Sequence, residues 1–345
     1  MDVYLKGKRI LITGVCGTVG AEIFRIICQN PVYNPKEVIG IDHNESELFF
    51  ADQKYVDNNK FRFFLADIRD GNKLTRIMRN VDIVFHVAAL KHVLLCERSP
   101  FEAVQSNIHG VQNIITAATK NNVSKVIFTS SDKAVNPTNV MGTSKLMGER
   151  LMTAANNNNF SNNTIFASTR FGNVLGSNGS VVLIFKNQIR NGGPVTITDF
   201  SMTRFVMSIE QAARLVIDSA SIAKGGEIFI TKMPVIRIID LAKVMIEELA
   251  PSYGYRPEDI EIKKIGVKPG EKLYEELMNH EETRRAIELE KYFSVLPAFR
   301  NLYEGISYDY KDVLNEDIKN PYVSEEQPYL DHDELKKFLI SNCLI

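Results

Sequence analysis

The chain has 345 residues, a formal net charge of −1, 44% apolar residues and 24% charged residues. This length allows one large α/β domain, or a core domain with a smaller appendage. The near-zero charge gives no electrostatic footprint for nucleic acid or an anionic membrane, and no apolar run reaches the roughly 20 residues that cross a bilayer. The four cysteines and six histidines lack metal-ligand spacing. We therefore expect no metal site, reduced thiols and a cytoplasmic location.

The first half of the chain alternates short apolar runs with helical patterns, which is typical of a parallel, doubly wound sheet. The predicted strands are Lys8–Thr13, Val38–Asp42, Phe61–Asp67, Val81–Ala89, Lys125–Ser131 and Thr164–Asn173. The predicted helices between them are Val19–Cys28, Pro100–Asn121 and Met141–Asn156.

The alternation breaks after about residue 174. Loop-forming residues fill 176–180, Pro234–Leu249 has helical amphipathicity, Glu261–Lys264 predicts a strand and Val267–Glu271 a turn. We expect an α/β protein with a Rossmann-like, doubly wound parallel sheet and a smaller, interleaved C-terminal substrate-binding domain. The core domain would span 1–174 with 205–232 returning to it, 175–290 would form a substrate-binding lid, and 291–345 has no assigned role.

A glycine-rich turn follows the first predicted strand. Gly14, Gly17 and Gly20 have the spacing G-x-x-G-x-x-G, and Thr18 and Val19, between the last two glycines, are further candidate cofactor contacts. Such a turn lets the backbone approach a pyrophosphate without a Cβ and places the phosphates at a helix N-terminus. A plain strand–helix turn is the alternative, but the position after the first strand favours dinucleotide binding.

The second predicted strand ends at Asp42, 22 residues after Gly20, where a carboxylate binds the adenosine ribose 2′-OH. The next residues, His43 to Glu45, include no Arg or Lys that would accept a 2′-phosphate. The sequence therefore predicts NAD as the cofactor, with NADP disfavoured, and makes 1–174 an NAD-binding domain.

Further candidate cofactor contacts lie at the ends of the next strands and on the helix after the fourth. They are Asp67, Ile68, Ala88, Ala89 and Asn107. Capping of the next helix is an equally good explanation for Asp67. Asn107 can bridge backbone groups or serve in packing.

The fifth strand runs into Ser130–Lys133, and eight residues later Met141 precedes Lys145 by four. A short-chain dehydrogenase/reductase would carry Tyr-x-x-x-Lys here, but the Met141 thioether cannot act as a base. The neighbouring Asp132 and Lys133 offer an acid and a base at a strand end instead. A surface ion pair of little energetic value is the alternative interpretation of that pair.

Taken together, these motifs resemble the extended short-chain dehydrogenase/reductases that act on nucleotide sugars, and within them the UDP-N-acetylglucosamine 4,6-dehydratases of the CapD/WbpM/PglF and PseB types. The resemblance covers about residues 7–280, and the methionine at position 141 matches the CapD/WbpM/PglF branch better. It is carried by four blocks, ALKHV (Ala89–Val93), SSDKAVNPTNVMGTSK (Ser130–Lys145), RFGNVLGSNGSV (Arg170–Val181) and KPGEKLYEEL (Lys268–Leu277).

The resemblance implies a reaction. The C4 hydroxyl of the sugar is oxidised, a base removes the C5 proton, an acid protonates the C6 hydroxyl so that water leaves, and the hydride returns to C6. It assigns Asp132 as acid and Lys133 as base, while Lys145 would bind the nicotinamide ribose and Ser131 the C4 oxygen. Lys133 must be neutral and Asp132 protonated for these roles, which requires burial to outweigh their mutual attraction. With Met141 inert, we expect Asp132 also to accept the first proton, from the C4 hydroxyl.

A UDP-sugar substrate also needs polar contacts, and a homo-oligomer is expected from the resemblance. The candidate substrate-binding residues are Lys91, His92, Arg170, Asn173, Ser180, Val181, Arg204, Lys268 and Glu271. For each of them an ordinary surface role is the alternative. An epimerase or reductase on the same scaffold, or an NAD-binding sensor without catalysis, remains the alternative function.

Overall fold

The computed structural model describes residues 2–157, 163–266, 270–303 and 305–345. The chain divides into two compact units. The first comprises Met1–Phe171, Glu210–Thr231 and His280–Asn320, and the second comprises Gly172–Ile209, Lys232–Asn279 and Pro321–Ile345. The chain therefore passes from one unit to the other several times.

The strands of the described residues are mostly short, and the longest have seven residues. In chain order they are β1 (Arg9–Thr13), β2 (Glu37–Asp42), β3 (Phe61–Leu65), β4 (Ile83–His86), β5 (Lys125–Ser131), β6 (Ile165–Phe171), β7 (Asn173–Val174), β8 (Val195–Ile197), β9 (Thr203–Met207), β10 (Ile228–Thr231), β11 (Val235–Arg237), β12 (Ile262–Lys264), β13 (Glu276–Met278), β14 (Ala286–Leu289), β15 (Tyr292–Val295), β16 (Val313–Asn315) and β17 (Tyr322–Val323).

The α-helices connect and cover these strands. They are α1 (Thr18–Gln29), α2 (Glu45–Lys54), α3 (Gly71–Ile77), α4 (Val93–Arg98), α5 (Pro100–Val104), α6 (Gly110–Lys120), α7 (Val140–Ala154), α8 (Val181–Arg190), α9 (Ile209–Ile222), α10 (Ile238–Leu249), α11 (His280–Thr283) and α12 (His332–Ser341). A π-helical turn, Gln105–His109, joins α5 to α6.

The first unit is built on a ten-stranded sheet with the order β16-β14-β15-β10-β6-β5-β4-β1-β2-β3. From β3 to β10 neighbouring strands are parallel, and β15, β14 and β16 are added antiparallel at the other edge. The order 3-2-1-4-5-6 is that of a doubly wound dinucleotide-binding sheet. The predicted fold class is confirmed.

Continuous apolar runs explain why the central strands are buried. Every residue of β4 is buried, and so are six of the seven residues of β5, as expected for parallel strands that helices cover on both faces. The helix α1 buries Ile23, Phe24 and Ile27 along one stripe. Because these strands are parallel, the carboxyl ends of β1, β2, β4 and β5 lie along the same edge of the sheet. The loops at that edge carry the candidate site residues.

Some element bounds differ from those predicted from the sequence. The predicted helix Pro234–Leu249 begins only at Ile238, because the Val-Ile pair of β11 pairs antiparallel with β9 instead. The predicted strand Thr164–Asn173 is two strands, since β6 ends at Phe171 and Asn173–Val174 pair with β9. Gly172 stands between them, and a Cβ there would lie 2.8 Å from the Phe205 Cβ.

The segment after residue 290, which had no assigned role, contributes to both units. It supplies β15 and β16 to the large sheet and α12 to the second unit. Asp331 begins α12 with a capping box, in which its side chain accepts from the Glu334 N–H and the Glu334 side chain accepts from the Asp331 N–H. The weak periodicity of this segment reflects short antiparallel strands.

The second unit has three small sheets, β11-β9-β7, β12-β8 and β13-β17. Helices α8, α10 and α12 supply most of its apolar core, with Phe185, Leu241 and Leu335 fully buried. Across the described residues of both units, no helix combines the length and the apolar character that spanning a membrane requires.

Truncation of a central core residue tests the packing of the large sheet. Val126→Ala removes two methyl groups from a fully buried position in β5 and should lower the free energy of unfolding by about 2 kcal/mol. Urea unfolding followed by circular dichroism measures this. Val56→Ala is the matched control, because Val56 is 61% exposed and should change the free energy by less than about 0.5 kcal/mol. Equal effects of the two variants would contradict the assignment of β5 to the core.

Candidate active site

The glycine-rich turn is shaped by close backbone contacts. Gly14 has a φ of +70°, and a Cβ on it would lie 2.8 Å from the Ala88 backbone. A Cβ on Gly20 would lie 2.1 Å from the Gly14 carbonyl oxygen. Gly17 precedes α1 and provides no side-chain cap for its first N–H groups. The turn therefore presents backbone donors at a helix N-terminus, which fits a pyrophosphate.

Asp42 is buried at the end of β2 and holds this turn in place. Its Oδ2 accepts from the Cys16 N–H and its Oδ1 from the Asn44 N–H, both at 3.0 Å. Burial and the Asp42 charge raise the pKa of the Cys16 thiol to about 12, so this thiol stays protonated. A carboxylate has about four acceptor positions, so Asp42 retains capacity to accept from a ribose hydroxyl.

Thr13 and His86 form a buried pair beside the turn that the sequence patterns did not single out. The Thr13 hydroxyl oxygen accepts from the N–H groups of Val87 and Ala88 and lies 2.8 Å from His86 Nδ1. Because the hydroxyl already accepts twice, we infer that it donates its proton to Nδ1. Burial, with a smaller contribution from Lys145, lowers the pKa of His86 to about 3, so the imidazole is neutral.

Asp67 does not cap the helix that follows it. Its carboxylate accepts from the backbone and the guanidinium of Arg69, which lowers its pKa, while Asp70 is the residue that caps α3. The adjacent Ile68 is buried and packs against Gly110. A Cβ on Gly110 would lie 2.7 Å from the Ile68 side chain. Asp67 and Ile68 follow β3, two strands from β1, and their contact with a cofactor stays a prediction.

Asn107 lies in the π-helical turn, 1% exposed, and bridges backbone groups. Its Oδ1 accepts from the Leu90 N–H at 2.8 Å, and its Nδ2 donates to the Leu90 carbonyl and to Ser144 Oγ at 2.9 Å. Asn107 thereby ties the loop after β4, which contains Ala88 and Ala89, to helix α7. Such π-turns are frequent at functional sites.

The turn after β5 brings three predicted catalytic residues together. Ser131 Oγ donates to Asp132 Oδ1 at 2.7 Å, and Lys133 Nζ donates to both Asp132 oxygens at 3.1 and 2.9 Å. The Asp132 side chain is only 4% exposed, whereas that of Lys133 is 34% exposed. The two partners of the ion pair therefore differ in exposure: the Asp132 carboxylate is buried, and the Lys133 ammonium reaches solvent.

Helix α7 lies tightly against this turn. Its N-cap Asn139 accepts from the Gly142 N–H at 2.8 Å, and a Cβ on Gly142 would lie 2.1 Å from the Lys133 carbonyl oxygen. Met141 is 3% exposed and packs with Cys96 and Ala103 in a small apolar cluster. The side chain at the position expected for tyrosine is thus a core residue.

Lys145 is buried on the inner face of α7. Its Nζ donates to the Thr129 carbonyl at 2.9 Å and lies 4.7 Å from the centre of the Phe128 ring. Burial is the main reason that its pKa falls to about 8, while Glu149 and Cys96 act in the opposite direction. Lys145 is therefore placed beside β5, and its contact with a nicotinamide ribose stays a prediction.

Arg170 is the predicted substrate residue for which the structure indicates a different role. Its side chain is 1% exposed, and it binds Glu149 through Nε and Nη2 and Glu282 through Nη1 and Nη2, at 2.6–3.0 Å. A buried guanidinium needs paired carboxylates, and both carboxylates that bind Arg170 belong to the first unit. We therefore correct its assignment from a substrate contact to a structural ion pair.

Two predicted substrate residues of the second unit, Asn173 and Arg204, contact Glu275, a buried carboxylate that sequence reasoning missed. Asn173 Nδ2 donates to both Glu275 oxygens at 2.8 Å, Arg204 Nε lies 3.2 Å from Glu275, and Arg204 Nη2 lies 3.8 Å from Glu271. Arg204 also donates to the carbonyls of Thr203, Lys272 and Leu273. Glu271 therefore lies near an arginine, and its contact with a substrate stays a prediction.

The remaining predicted substrate residues lie in different places. Ser180 precedes α8, and its Oγ is buried without a hydrogen-bond partner among the described residues, while Val181 begins that helix. Lys91 and His92 are exposed in the first unit just before α4. Lys268 lies outside the described residues.

The sheet order, the glycine turn after β1 and the polar turn after β5 define a Rossmann-fold protein, and solved structures of similar fold include dehydratases and epimerases. Residues 10–297 match the family described as "Polysaccharide biosynthesis protein", and the chain belongs to this family. The resemblance to the UDP-N-acetylglucosamine 4,6-dehydratase group is confirmed.

Three similar proteins bear on this assignment. A Methanocaldococcus jannaschii protein named as an uncharacterized membrane protein is 48% identical over 97% of this chain and 96% of its own. The inverting UDP-N-acetylglucosamine 4,6-dehydratase of Campylobacter jejuni is 39% identical over 86% of this chain and 84% of its own. The X-ray structure of Pen from Bacillus thuringiensis shares 42% identity and a TM-score of 0.89, covering 99% of each chain.

Further relatives support a class of nucleotide-sugar enzymes and not one particular reaction. The chain spans about half the length of two curated polysaccharide-biosynthesis relatives, 52% of one and 46% of the other. A UDP-glucose 4-epimerase of Rickettsia bellii is 36% identical over 97% of this chain and 96% of its own. The chain therefore belongs with nucleotide-sugar dehydratases and epimerases as a class.

The close contact at Gly14 provides a test of the glycine turn. Gly14→Ala introduces a methyl group 2.8 Å from the Ala88 backbone and should weaken dinucleotide binding at least tenfold, because the turn must move away from β4 (about 1.4 kcal/mol or more). Calorimetric titration with NAD measures the affinity. Gly7→Ala is the matched control, since Gly7 has a φ of +71° with nothing within 4 Å of a Cβ. It shares the backbone strain without the clash and should bind normally; equal loss in both variants would refute the contact as the cause.

Proposed function

We propose that this protein is an NAD-dependent nucleotide-sugar 4,6-dehydratase that converts UDP-N-acetylglucosamine to the 4-keto-6-deoxy sugar. The observation that carries the proposal is the Asp132–Lys133 pair at the carboxyl end of β5, with Ser131 donating to the buried carboxylate. This pair is a proton donor and acceptor beside a dinucleotide-type turn. The identity of 39% to a named dehydratase supports it.

The residues around the glycine turn fit NAD. Gly14, Gly17 and Gly20 leave room for the pyrophosphate, and Asp42 offers a buried acceptor at the end of β2. A carboxylate there favours a ribose 2′-OH and repels a 2′-phosphate. When bound, NAD would accept the hydride from C4 and return it to C6.

Oxidation of the C4 hydroxyl also releases a proton, and Met141 cannot take it. Because Met141 is packed in an apolar cluster, we assign the proton to Asp132, with Ser131 as the relay. The 2.7 Å hydrogen bond from Ser131 Oγ to Asp132 Oδ1 allows the serine to pass its proton to the carboxylate while it accepts the one from C4. Asp132 then holds the proton that the departing C6 hydroxyl needs.

Lys133 is the base that removes the C5 proton. It must first lose its own proton, and its side chain, one-third exposed, gives that proton a route to solvent. Coverage by the sugar then disfavours the ammonium form. The lone pair of the amine removes the C5 proton, the C5–H electrons form the C5–C6 double bond, and the C6 hydroxyl leaves as water with the Asp132 proton. The Lys133 ammonium returns a proton to C5 when the hydride returns to C6.

Within the second unit, taken by itself, we propose candidate nucleotide contacts. The Ser180 hydroxyl, buried with no hydrogen-bond partner among the described residues, and the N-terminus of α8 suit a diphosphate. Arg204 and Asn173, fixed by Glu275, suit the uridine or the sugar. The cytoplasmic location and the homo-oligomeric state stay predictions.

A nucleotide-sugar 4-epimerase is the second candidate, because the Rickettsia bellii epimerase matches nearly the whole chain. An epimerase needs the cofactor turn but no acid–base pair for elimination. Incubation of the purified protein with UDP-N-acetylglucosamine, followed by NMR and mass spectrometry, separates the two. Loss of one water supports the dehydratase, and an isomer of unchanged mass supports the epimerase.

Removal of the Asp132 charge tests the proposed proton path. Asp132→Asn keeps the shape but cannot accept the C4 proton or donate one to C6, so kcat should fall at least about 100-fold. Asp57→Asn, at an exposed position, is the control and should retain full activity. Single-turnover reduction of bound NAD separates the steps: normal reduction in Asp132→Asn would show that Asp132 does not take the first proton.

The cofactor preference has a separate test. Asp42→Asn removes the charge but leaves an amide of the same size, so NAD affinity should fall about tenfold and discrimination against NADP should narrow. Calorimetric titration with both cofactors measures this. Asp52→Asn, at an exposed residue of α2, should leave both affinities unchanged. If Asp42→Asn still rejects NADP as strongly as the parent protein does, the assignment of Asp42 to the ribose is wrong.

A further inference from the structure

A buried ion-pair cluster in the first unit lies next to the proposed active site and is not used by the proposed mechanism. Arg170 of β6 binds Glu149 of α7 and Glu282 of α11, and the three side chains are 1%, 1% and 4% exposed. Burial of such charges costs free energy, so the cluster is poor evidence for stability alone. Another role would explain why it is placed here.

Glu149 lies one helical turn beyond Lys145 on the buried face of α7. Residues four apart on a helix are neighbours, so the carboxylate of Glu149 is directed to the side of the helix that carries Lys145. Lys145 is 6% exposed, and the hydrogen bond from its ammonium to the Thr129 carbonyl provides no countercharge. A buried ammonium needs a negative charge nearby to stay protonated.

Glu149 is the carboxylate of the cluster that shares helix α7 with Lys145, whereas Glu282 lies on α11 and contacts Arg170. Arg285 is 4.0 Å from Glu282 but is paired more closely with Glu281. The titratable and charged groups around Lys145 and this cluster are Glu149 and Arg150 on α7, Cys96 on α4, His86 on β4, Arg170 on β6, Glu281 and Glu282 on α11, and Arg285 after it.

We propose that Glu149 is a positioning residue for Lys145, and that Arg170 fixes the Glu149 carboxylate so that Lys145 remains a cation at the cofactor site. Glu282 also binds Arg170, and it acts on Lys145 only through that arginine. The catalytic importance of the Lys145 charge rests on the proposed function. The charge itself can be measured without that reaction.

The test compares two equally buried carboxylates. Protein labelled with [13Cε]lysine is titrated by NMR, with the Lys145 signal assigned from the K145R variant. Glu149→Gln should lower the titration midpoint of Lys145 by about one pH unit, a tenfold loss of proton affinity, because a nearby negative charge is removed. Glu282→Gln is the matched control, since it weakens the same arginine but is not adjacent to Lys145, and should change the midpoint by less than about 0.3 pH unit.

An unchanged midpoint in Glu149→Gln, or equal shifts in both variants, would overturn the proposal. If Glu149→Gln does not fold, Arg170→Lys decides, because it keeps the positive charge but loses the two-point hold of Nε and Nη2 on Glu149. The Lys145 midpoint should then fall, and a rise or no change refutes the proposal. The pH profile of kcat with UDP-N-acetylglucosamine is recorded separately. A shift of its alkaline limb that matches the NMR shift supports the inference, whereas the absence of turnover in the parent protein counts against the proposed function and leaves the NMR result valid.

Discussion

The buried Asp132 carboxylate is the group on which the rest of the proposed site depends. It follows β5, accepts from Ser131 and Lys133, and lies where α7 comes so close that position 142 has no room for a Cβ. This close approach seats the helix, sends Met141 into an apolar cluster and directs Lys145 back towards β5. The proposed proton chemistry at the strand end and the apolar packing of Met141 on the helix therefore depend on one packing arrangement.

The candidate cofactor residues are held by similar close contacts at the ends of the adjacent strands. Gly14 packs against Ala88, Thr13 holds the loop after β4, and Asp42 holds the turn before α1. Each of these contacts joins the ends of neighbouring parallel strands, so the sheet order itself brings the turn and the acid–base pair to one edge. The Phe128 ring of β5 links the two sides, because it lies close to both the neutral His86 imidazole and the Lys145 ammonium.

Local patterns were sufficient for most of the first unit. Apolar runs predicted β5 to the residue, the glycine spacing predicted the tight turn between β1 and α1, and adjacent residues such as Asp132 and Lys133 had to meet. Partners distant in sequence were not accessible to this reasoning: Arg170 finds Glu149 21 residues away and Glu282 112 residues away. An arginine near a strand end looks the same in one sequence whether it binds a substrate or a buried carboxylate. Short strands such as β11 and β16 likewise depend on pairing rather than on periodicity.

The interleaving of the first unit has a consequence for synthesis of the chain. A nascent chain that has reached Phe171 has β6 as an open sheet edge and carries Arg170 without Glu282, because β10, α11 and β14–β16 follow much later. An exposed parallel edge favours misassembly, and Arg170 at this stage has only Glu149 of its two carboxylate partners. The ten-stranded sheet of the first unit therefore cannot be completed before residue 315 has been synthesised.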